Sequence, residues 1–312
     1  VRLLIAMPIL ISAELIVHKR MRPVVNAFLE RELIPSDAIP KFKAAIASAT
    51  RWRNSAYIEI IIIVIVYVIG ILFIWRTQLS MDIQSWYGRV SDDKFHPSWA
   101  GWWLTIVSLP IFQFLLLRWY FRIFLWGRFL WQVSRIKLNL LFSNPDHCGG
   151  LGFLSQITYA FAPILLAQGV LLAGMICDRI LYANAKLTDY QFEIIGLLAL
   201  QLFCVLAPLT VFSTQLLEAK RTGMLKFGNM MHRAVHDFHS RWFNEEHPSN
   251  QSLMDPPDIQ SLSNLGGSYE SMKQLSMIPF NLQTVIHLLI ITLLSLAPLL
   301  LRSEEHTSEL QS

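Results

Sequence analysis

The chain has 312 residues, of which 54% are hydrophobic and 15% are charged, and its formal net charge at pH 7 is +4. This composition excludes an ordinary soluble domain and is typical of a polytopic membrane protein. Three cysteines without a CxxC spacing provide neither a disulfide framework nor a thiolate metal motif. We predict no cofactor and no nucleic-acid partner.

Six apolar stretches are candidates for spanning helices, because a helix needs about 20 apolar residues to cross the bilayer. The first contains only 15 residues and is expected to be truncated. The six stretches cover residues 3–17, 57–75, 99–117, 155–177, 194–217 and 280–301. The predicted fold class is therefore all-α: a polytopic membrane helical bundle with cytoplasmic amphipathic helices, in which residues 1–301 form a single transmembrane domain.

The distribution of Lys and Arg predicts the orientation of these helices. The connections 18–53, 118–154 and 218–279 contain 8, 5 and 6 of these residues, whereas the connections 76–98 and 178–193 contain 3 and 2. Because cytoplasmic loops carry the excess of Lys and Arg, the three richer connections are predicted to be cytoplasmic. The first helix then runs inwards from outside.

Prolines suggest the helix boundaries in the first cytoplasmic connection. We expect two short helices, broken at Pro35 and Pro40. Pro23 is suited to a first helical turn, and Ser36 to an N-cap.

A basic and aromatic sequence, RWYFRIFLWGRFLWQVSRIKLNL, opens the second cytoplasmic connection at residues 118–140. On a helix, Arg118 and Arg122 are one turn apart and Arg128 and Arg135 are two turns apart, so the four share one broad face. Arginine side chains reach lipid phosphates, and tryptophan rings prefer the headgroup layer. The sequence predicts a helix at the lipid interface, or alternatively a binding surface for a specific anionic lipid or an acidic partner.

The same connection ends in a turn-rich sequence, NPDHCGGLG, at residues 144–152. Its proline and glycines favour a sharp reversal into the next helix. The glycine N–H groups could bind a lipid phosphate. Asp146, His147 and Cys148 are adjacent, which is a poor arrangement for nucleophilic catalysis, so we favour a turn without a catalytic role.

An amphipathic helix is predicted in the third cytoplasmic connection. Its apolar strip contains Met224, Phe227, Met231, Val235, Phe238 and Trp242. On one flank, His232, His236 and His239 have a spacing that can bring imidazoles around a metal ion. No cysteine or near carboxylate joins them, so these three residues are weak candidates and an exposed histidine face is favoured.

A further helix is predicted to begin at Asp255-Pro-Pro-Asp258, which supplies an N-cap and prolines for the first turn. We expect it to end at Gly266-Gly267. Ser268 could then cap one more short helix.

Polar residues within the apolar stretches have two interpretations. Gln113, Gln168, Gln201 and His287 could hydrogen-bond between helices, or they could line a solute pathway. Interhelical hydrogen bonding is favoured. Five of the six stretches also contain a proline, which can kink a helix at a transport site but is common in membrane helices.

Several segments together resemble an uncharacterised family of bacterial polytopic inner-membrane proteins: the basic sequence at 118–140, PDHCGGLGFL, APILLAQGVLLAGM and DIQSLSNLGGSYE. The resemblance implies a bacterial inner-membrane location and about six helices, but no activity. Residues Arg302–Ser312 resemble a translated sequencing adapter and are expected to be non-native. With the start at Val1, this suggests a fragment truncated at both ends.

Three functional hypotheses follow from these features. The leading one is a non-catalytic structural or regulatory membrane component, whose basic cytoplasmic face binds anionic phospholipid or a protein partner, with a homo-oligomer as one option. The alternative is a transporter or channel for an unknown solute. A membrane-bound enzyme comes third.

Overall fold

The computed structural model describes residues 2–78, 88–91, 94–97, 99–141, 144–183, 187–240 and 256–309. Almost all of these residues are helical, which confirms the all-α class. A short antiparallel hairpin, β1 (Gly88–Ser91) and β2 (Lys94–Pro97), is the exception. Three helical segments are long and apolar enough to cross a membrane: Ile106–Ser134, Phe153–Ile180 and Leu187–His239.

Eleven α-helices lie within this described part of the chain. They are α1 (Met7–Glu30), α2 (Ile39–Arg53), α3 (Ala56–Gln78), α4 (Trp99–Trp103), α5 (Leu109–Ser134), α6 (Phe153–Thr158), α7 (Ala162–Ala183), α8 (Gln191–Leu206), α9 (Ser213–His239), α10 (Pro256–Lys273) and α11 (Leu282–Glu309). Two turns of 3-10 helix lie directly before helices, Ser36–Ala38 before α2 and Leu187–Tyr190 before α8. Two others join consecutive helices, Tyr159–Phe161 between α6 and α7 and Ala207–Phe212 between α8 and α9. Turns of π-helix lie at Arg2–Ala6 and Leu104–Ser108.

Helix α1 continues far beyond the first apolar stretch, and Pro23 lies inside it. The prediction that Pro23 begins a new helix is therefore wrong. The helix continues because one buried apolar stripe extends on both sides of the proline. The stripe comprises Leu10, Ala13, Val17, Val24 and Phe28.

The chain reverses after α1 at Glu32, which has a φ of +53°. Ser36 is not an N-cap, because it is the first residue of a 3-10 turn and makes no capping bond there. Pro40 lies in the first turn of α2 and does not break a helix.

Helix α5 is continuous through the end of the predicted span at Leu117. Its buried positions keep a helical spacing along the whole length and include Trp119, Ile123, Trp126, Leu130 and Val133. The helix ends at Ser134, whose carbonyl accepts a hydrogen bond of 2.6 Å from Gln215 Nε2. Arg118, Arg122 and Arg128 therefore lie on one continuous helix, and Arg135 is its C-cap residue.

The predicted fifth span and the amphipathic helix are one helical segment, Leu187–His239. Helix α10 packs against its second part, α9. Within the apolar strip of α9, Met224, Phe227, Met231 and Phe238 are half-buried and Val235 is exposed; Trp242 lies outside the described residues.

Helix α10 also runs through Gly266-Gly267 to Lys273, so the predicted end at the glycines is wrong. Ser268 caps nothing, because its hydroxyl donates to the carbonyl of Asn264 within the same helix. Each glycine destabilises a helix by about 1 kcal/mol relative to alanine, and the packing of α10 on α9 offsets this loss. Lys220 of α9 binds the true C-terminal end, donating to the carbonyls of Lys273 and Leu275 at 2.9 and 2.8 Å.

Aromatic side chains form the centre of the core at the predicted cytoplasmic end. The Phe28 ring lies 5.7 Å from Phe42, 5.1 Å from Phe153 and 6.4 Å from Phe212, measured between ring centres. Phe42 in turn lies 5.9 Å from Phe129. Because these rings come from α1, α2, α5, α6 and the turn before α9, they fix the ends of five elements together.

Helix α3 shows the opposite pattern. Ile62 and Val66 are buried against the bundle, but Ile60, Ile61 and Val64 are more than half exposed. Contiguous apolar surface of this kind marks an interaction site with a membrane or another protein.

Candidate functional site

The four predicted arginines of α5 fall into two pairs with different surroundings. In the first pair, Arg118 Nη2 lies 3.6 Å from Glu59 Oε1 of α3. Arg122 forms an ion pair and a hydrogen bond with Glu14 of α1. These arginines therefore connect α5 to two neighbouring helices.

Trp119 strengthens the contact between α5 and α1. Its indole N–H donates a hydrogen bond of 3.0 Å to the carbonyl of Leu10, and the side chain is almost completely buried. The guanidinium of Arg122 lies 4.9 Å from the centre of the same indole ring. This tryptophan therefore serves the packing of the protein and not the lipid interface.

The second pair of arginines lies against exposed tryptophans. Arg128 is 4.5 Å from the ring centre of Trp52, at the end of α2, and Arg135 is 4.9 Å from that of Trp131. Trp52 is 43% exposed and Trp131 is 49% exposed. We call these four residues the arginine–tryptophan patch. Cation–π contacts of this type hold a guanidinium in place.

No carboxylate among the described residues lies within ion-pair distance of Arg128 or Arg135. One terminal nitrogen of Arg128, Nη1, is buried without a hydrogen-bond acceptor. The patch thus carries two positive charges that the described part of the chain does not neutralise.

The NPDHCGGLG turn is organised by one carboxylate. Asp146 Oδ1 accepts hydrogen bonds from the backbone N–H groups of Cys148 at 2.9 Å and Gly150 at 3.1 Å, and Oδ2 accepts one from Gly152 at 2.9 Å. Asp146 therefore occupies the N–H groups that the sequence offered to a lipid phosphate. A Cβ atom at Gly152 would lie 3.0 Å from this carboxylate, which explains the glycine there.

The residues of this turn form no nucleophilic site. Burial and the nearby Asp146 carboxylate raise the pKa of the Cys148 thiol to about 11, so the thiol is neutral at physiological pH. His147 Nδ1 is buried without a hydrogen-bond partner. Asp146 is fully used by the backbone, so it does not orient the histidine.

All three predicted cytoplasmic connections meet at this turn. Arg31, after α1, donates a hydrogen bond of 3.2 Å from Nη1 to the carbonyl of Gly150. The N–H of Ser276, after α10, donates one of 2.7 Å to the carbonyl of His147. The turn is therefore a structural junction.

Two of the four predicted intramembrane polar residues come together in the bundle. Gln201 Nε2 of α8 donates to Gln168 Oε1 of α7 at 3.1 Å. Gln168 Nε2 donates to the hydroxyl of Tyr120 at 2.7 Å, and the Thr292 hydroxyl donates to Gln201 Oε1 at 2.7 Å. The sequence reasoning missed Tyr120 and Thr292, although both are polar groups within or beside apolar stretches.

A cavity beside this chain is lined by Tyr120, Gln168, Gln201, Cys204 and apolar neighbours. Its volume is about 10 Å³. That is the lower limit for one water molecule. The cavity is therefore too small for an organic solute.

The other two polar residues lie apart from this chain. Gln113 is half-buried on α5 and faces Gly70 of α3. A Cβ atom added at Gly70 would lie 3.5 Å from Gln113 Oε1. His287 Nδ1 shares a hydrogen bond of 2.9 Å with the Tyr159 hydroxyl. The four residues do not form one continuous line.

His232, His236 and His239 are exposed on α9. Within the ranges that the structure describes, no group of three or more His, Cys, Asp or Glu side chains has a geometry that could hold a metal ion.

Comparison of the chain with protein families, curated proteins and solved structures finds no match. A fold of packed helices does not by itself define an activity. The function is therefore inferred from the site residues.

Proposed function

We propose that this chain is a structural or regulatory component of the bacterial inner membrane, whose basic cytoplasmic face binds anionic phospholipid. In this proposal it belongs to the uncharacterised family that it resembles and crosses the bilayer about six times. The observation that carries the proposal is the arginine–tryptophan patch: two exposed indoles, each with a guanidinium over its face and, among the described residues, no carboxylate within ion-pair distance of either guanidinium.

The depth of the arginines along α5 supports this proposal. The predicted span ends at Leu117, and the helix continues to Ser134. Arg118 and Arg122 then lie in the first turns beyond the span, where carboxylates of neighbouring helices match them. Arg128 lies six residues further along the helix than Arg122, on the cytoplasmic side of that pair.

The chemistry of the patch suits a headgroup layer. Indole rings prefer the interface between hydrocarbon and water, and guanidinium groups bind phosphate oxygens through two parallel N–H donors. The surface potential of anionic lipid attracts a nearby arginine by about 1 kcal/mol. Exposed Arg51 and Arg53 in the last turn of α2 add to the positive charge.

The proposal is tested with the full chain in mild neutral detergent, to which phosphatidylglycerol is added. Native mass spectrometry gives the lipid affinity of the wild type and of the double variant Arg128→Gln/Arg135→Gln. We expect about a fivefold loss of affinity for each arginine removed. Arg179→Gln is the matched control, since Arg179 also lies over an aromatic ring, 5.7 Å from Tyr190, but at the predicted outer end. Unchanged binding in the double variant would contradict the proposal.

A transporter is the second candidate, and one observation favours it. Two of the helical segments that could cross a membrane are interrupted by 3-10 turns, Tyr159–Phe161 and Ala207–Phe212. Transporters bind solutes at such interrupted helices. Loss of solute flux in a Gln201→Leu variant reconstituted in liposomes would support this candidate. Impermeability of the wild type to a broad solute panel would reject it.

A further inference from the structure

We infer that the arginine–tryptophan patch selects a lipid with two phosphodiester groups joined by a short polyol bridge over a lipid with a single phosphate. This inference rests on the proposed function, since it names the lipid class that the same face binds. Its basis is the presence of two separate guanidinium groups, two helical turns apart in sequence and each held by its own indole.

The spacing follows from the position of the two arginines. Arg128 and Arg135 are seven residues apart, which on a helix is two turns and roughly 10 Å along the axis. Two turns return the side chains to the same face. Two phosphates linked through three carbons can therefore each meet one of these long side chains, whereas a lipid with one phosphate can neutralise only one of them.

Each guanidinium is held by a different indole. Trp52 at the end of α2 holds Arg128, and Trp131 on α5 holds Arg135. Because α2 packs on α5, the two arginine sites are fixed relative to one another. A stacked guanidinium has already lost much of its side-chain freedom, so binding a phosphate costs less conformational entropy.

The charge balance also favours a doubly charged headgroup. Glu14 and Glu59 are engaged by Arg122 and Arg118. Arg128 and Arg135 have no carboxylate within ion-pair distance among the described residues, and a guanidinium without a carboxylate partner gains most from an added anion. The exposed indoles favour a lipid at the membrane surface over an acidic peptide segment.

The test compares two lipids at equal phosphate concentration: a diphosphatidylglycerol and phosphatidylglycerol. The full chain in neutral detergent is titrated with each lipid and followed by native mass spectrometry. We expect one diphosphatidylglycerol to bind per chain, about fivefold or more tightly than phosphatidylglycerol, because it makes one additional phosphate contact with an arginine. The single variants Arg128→Gln and Arg135→Gln should each abolish this preference, and Arg179→Gln should retain it.

Three other results of the lipid titration would contradict the inference. Equal affinity of the wild type for the two lipids overturns this inference and leaves the proposed function standing. No preference for either anionic lipid over phosphatidylcholine overturns both. A preference that persists in the Arg128→Gln/Arg135→Gln variant also overturns the inference, because the lipid then binds elsewhere. The wild-type comparison decides the question even if a variant does not fold.

Discussion

The two halves of the arginine series on α5 show how one sequence pattern serves two purposes. In the inner half, Arg118 and Arg122 are paired with carboxylates of α3 and α1. The other half is further from the predicted membrane centre, on the cytoplasmic side, and we call it the outer half. There, Arg128 and Arg135 lie on exposed indoles and have no such partner among the described residues. The difference teaches that arginines on one helix divide into a pair matched by carboxylates of neighbouring helices and a second pair, beginning six residues further along, that no carboxylate of the described residues matches.

The same contrast extends to the NPDHCGGLG turn, which belongs with the inner half. There too, a charge is satisfied inside the chain, since Asp146 accepts three backbone hydrogen bonds. We therefore expect changes in the inner region to lower the stability of the protein. Changes in the outer region should mainly alter lipid affinity.

Asp146→Ala should have the largest effect. It removes the acceptor of three backbone N–H groups in a part-buried turn, so we expect a loss of about 3–5 kcal/mol in the free energy of unfolding. Unfolding in mixed micelles with increasing denaturing detergent measures this change. Asp178→Ala is the control, because Asp178 is exposed at the far end of α7 and should cost little. Equal effects of the two variants would show that the Asp146 hydrogen bonds do not stabilise the junction.

The Cys148 thiol reports on the same turn without a mutation. With its pKa raised to about 11 against an ordinary value of 9.0, its thiolate fraction at pH 8 should be about a hundredfold lower than that of a free thiol. Alkylation followed by peptide mass spectrometry should show slow labelling in the folded protein. Since the raised pKa favours the neutral thiol, labelling should increase as the pH rises towards 11. Rapid labelling at pH 8 would mean that the turn is open to solvent.

Much of the fold could be predicted from the sequence, because apolar stretches and their helical spacing are local signals. The errors at Pro23 and at Gly266-Gly267 arose because residue preferences were read without the packing that overrides them: a continuous buried stripe in α1, and contact with α9 in α10. A helix-breaking residue thus gave less information than the apolar pattern on either side of it.

The candidate site was harder to predict, because its partners are distant in sequence. Arg122 and Glu14 are 108 residues apart, and Gln201 and Thr292 are 91 apart. The spacing of arginines on α5 predicted a shared face, but no local signal could show which of them meets a carboxylate and which meets an indole. That information exists only once the helices are packed.

Glu14→Gln should have an intermediate effect. It leaves Arg122, whose side chain is only 17% exposed, without its carboxylate, but Glu14 itself is half exposed and solvent weakens the pair. We therefore expect a loss of about 1–2 kcal/mol in the same unfolding measurement. Glu30→Gln is the matched control, since Glu30 is exposed at the end of α1. A loss no greater than that of the control would place Arg122 with its unpaired neighbours further along α5.

Gln201→Leu should cost less. Hydrogen bonds between membrane helices contribute about 1 kcal/mol or less each, partly because the unfolded helices find other partners in the membrane. The variant removes the bonds to Gln168 and Thr292, and we expect a loss of about 1 kcal/mol in the unfolding measurement. Gln191→Leu, at an exposed position in the first turn of α8, should have no such effect. A more stable Gln201→Leu variant would indicate that the polar chain is retained for a reason other than packing.

The arginine–tryptophan patch should have the smallest effect on stability for each residue replaced, and this completes the contrast. Replacing Arg128 and Arg135 by Gln removes no ion pair of the described residues, only two cation–π contacts at exposed rings, each worth about 0.5–1 kcal/mol at most. In neutral detergent the double variant should therefore unfold within about 1–2 kcal/mol of the wild type. Added anionic lipid should separate the two proteins, because it stabilises only the form that binds it. If the double variant were as unstable as Asp146→Ala without any lipid, the outer arginines would have the same structural role as the inner ones, and the division of α5 into two halves would be wrong.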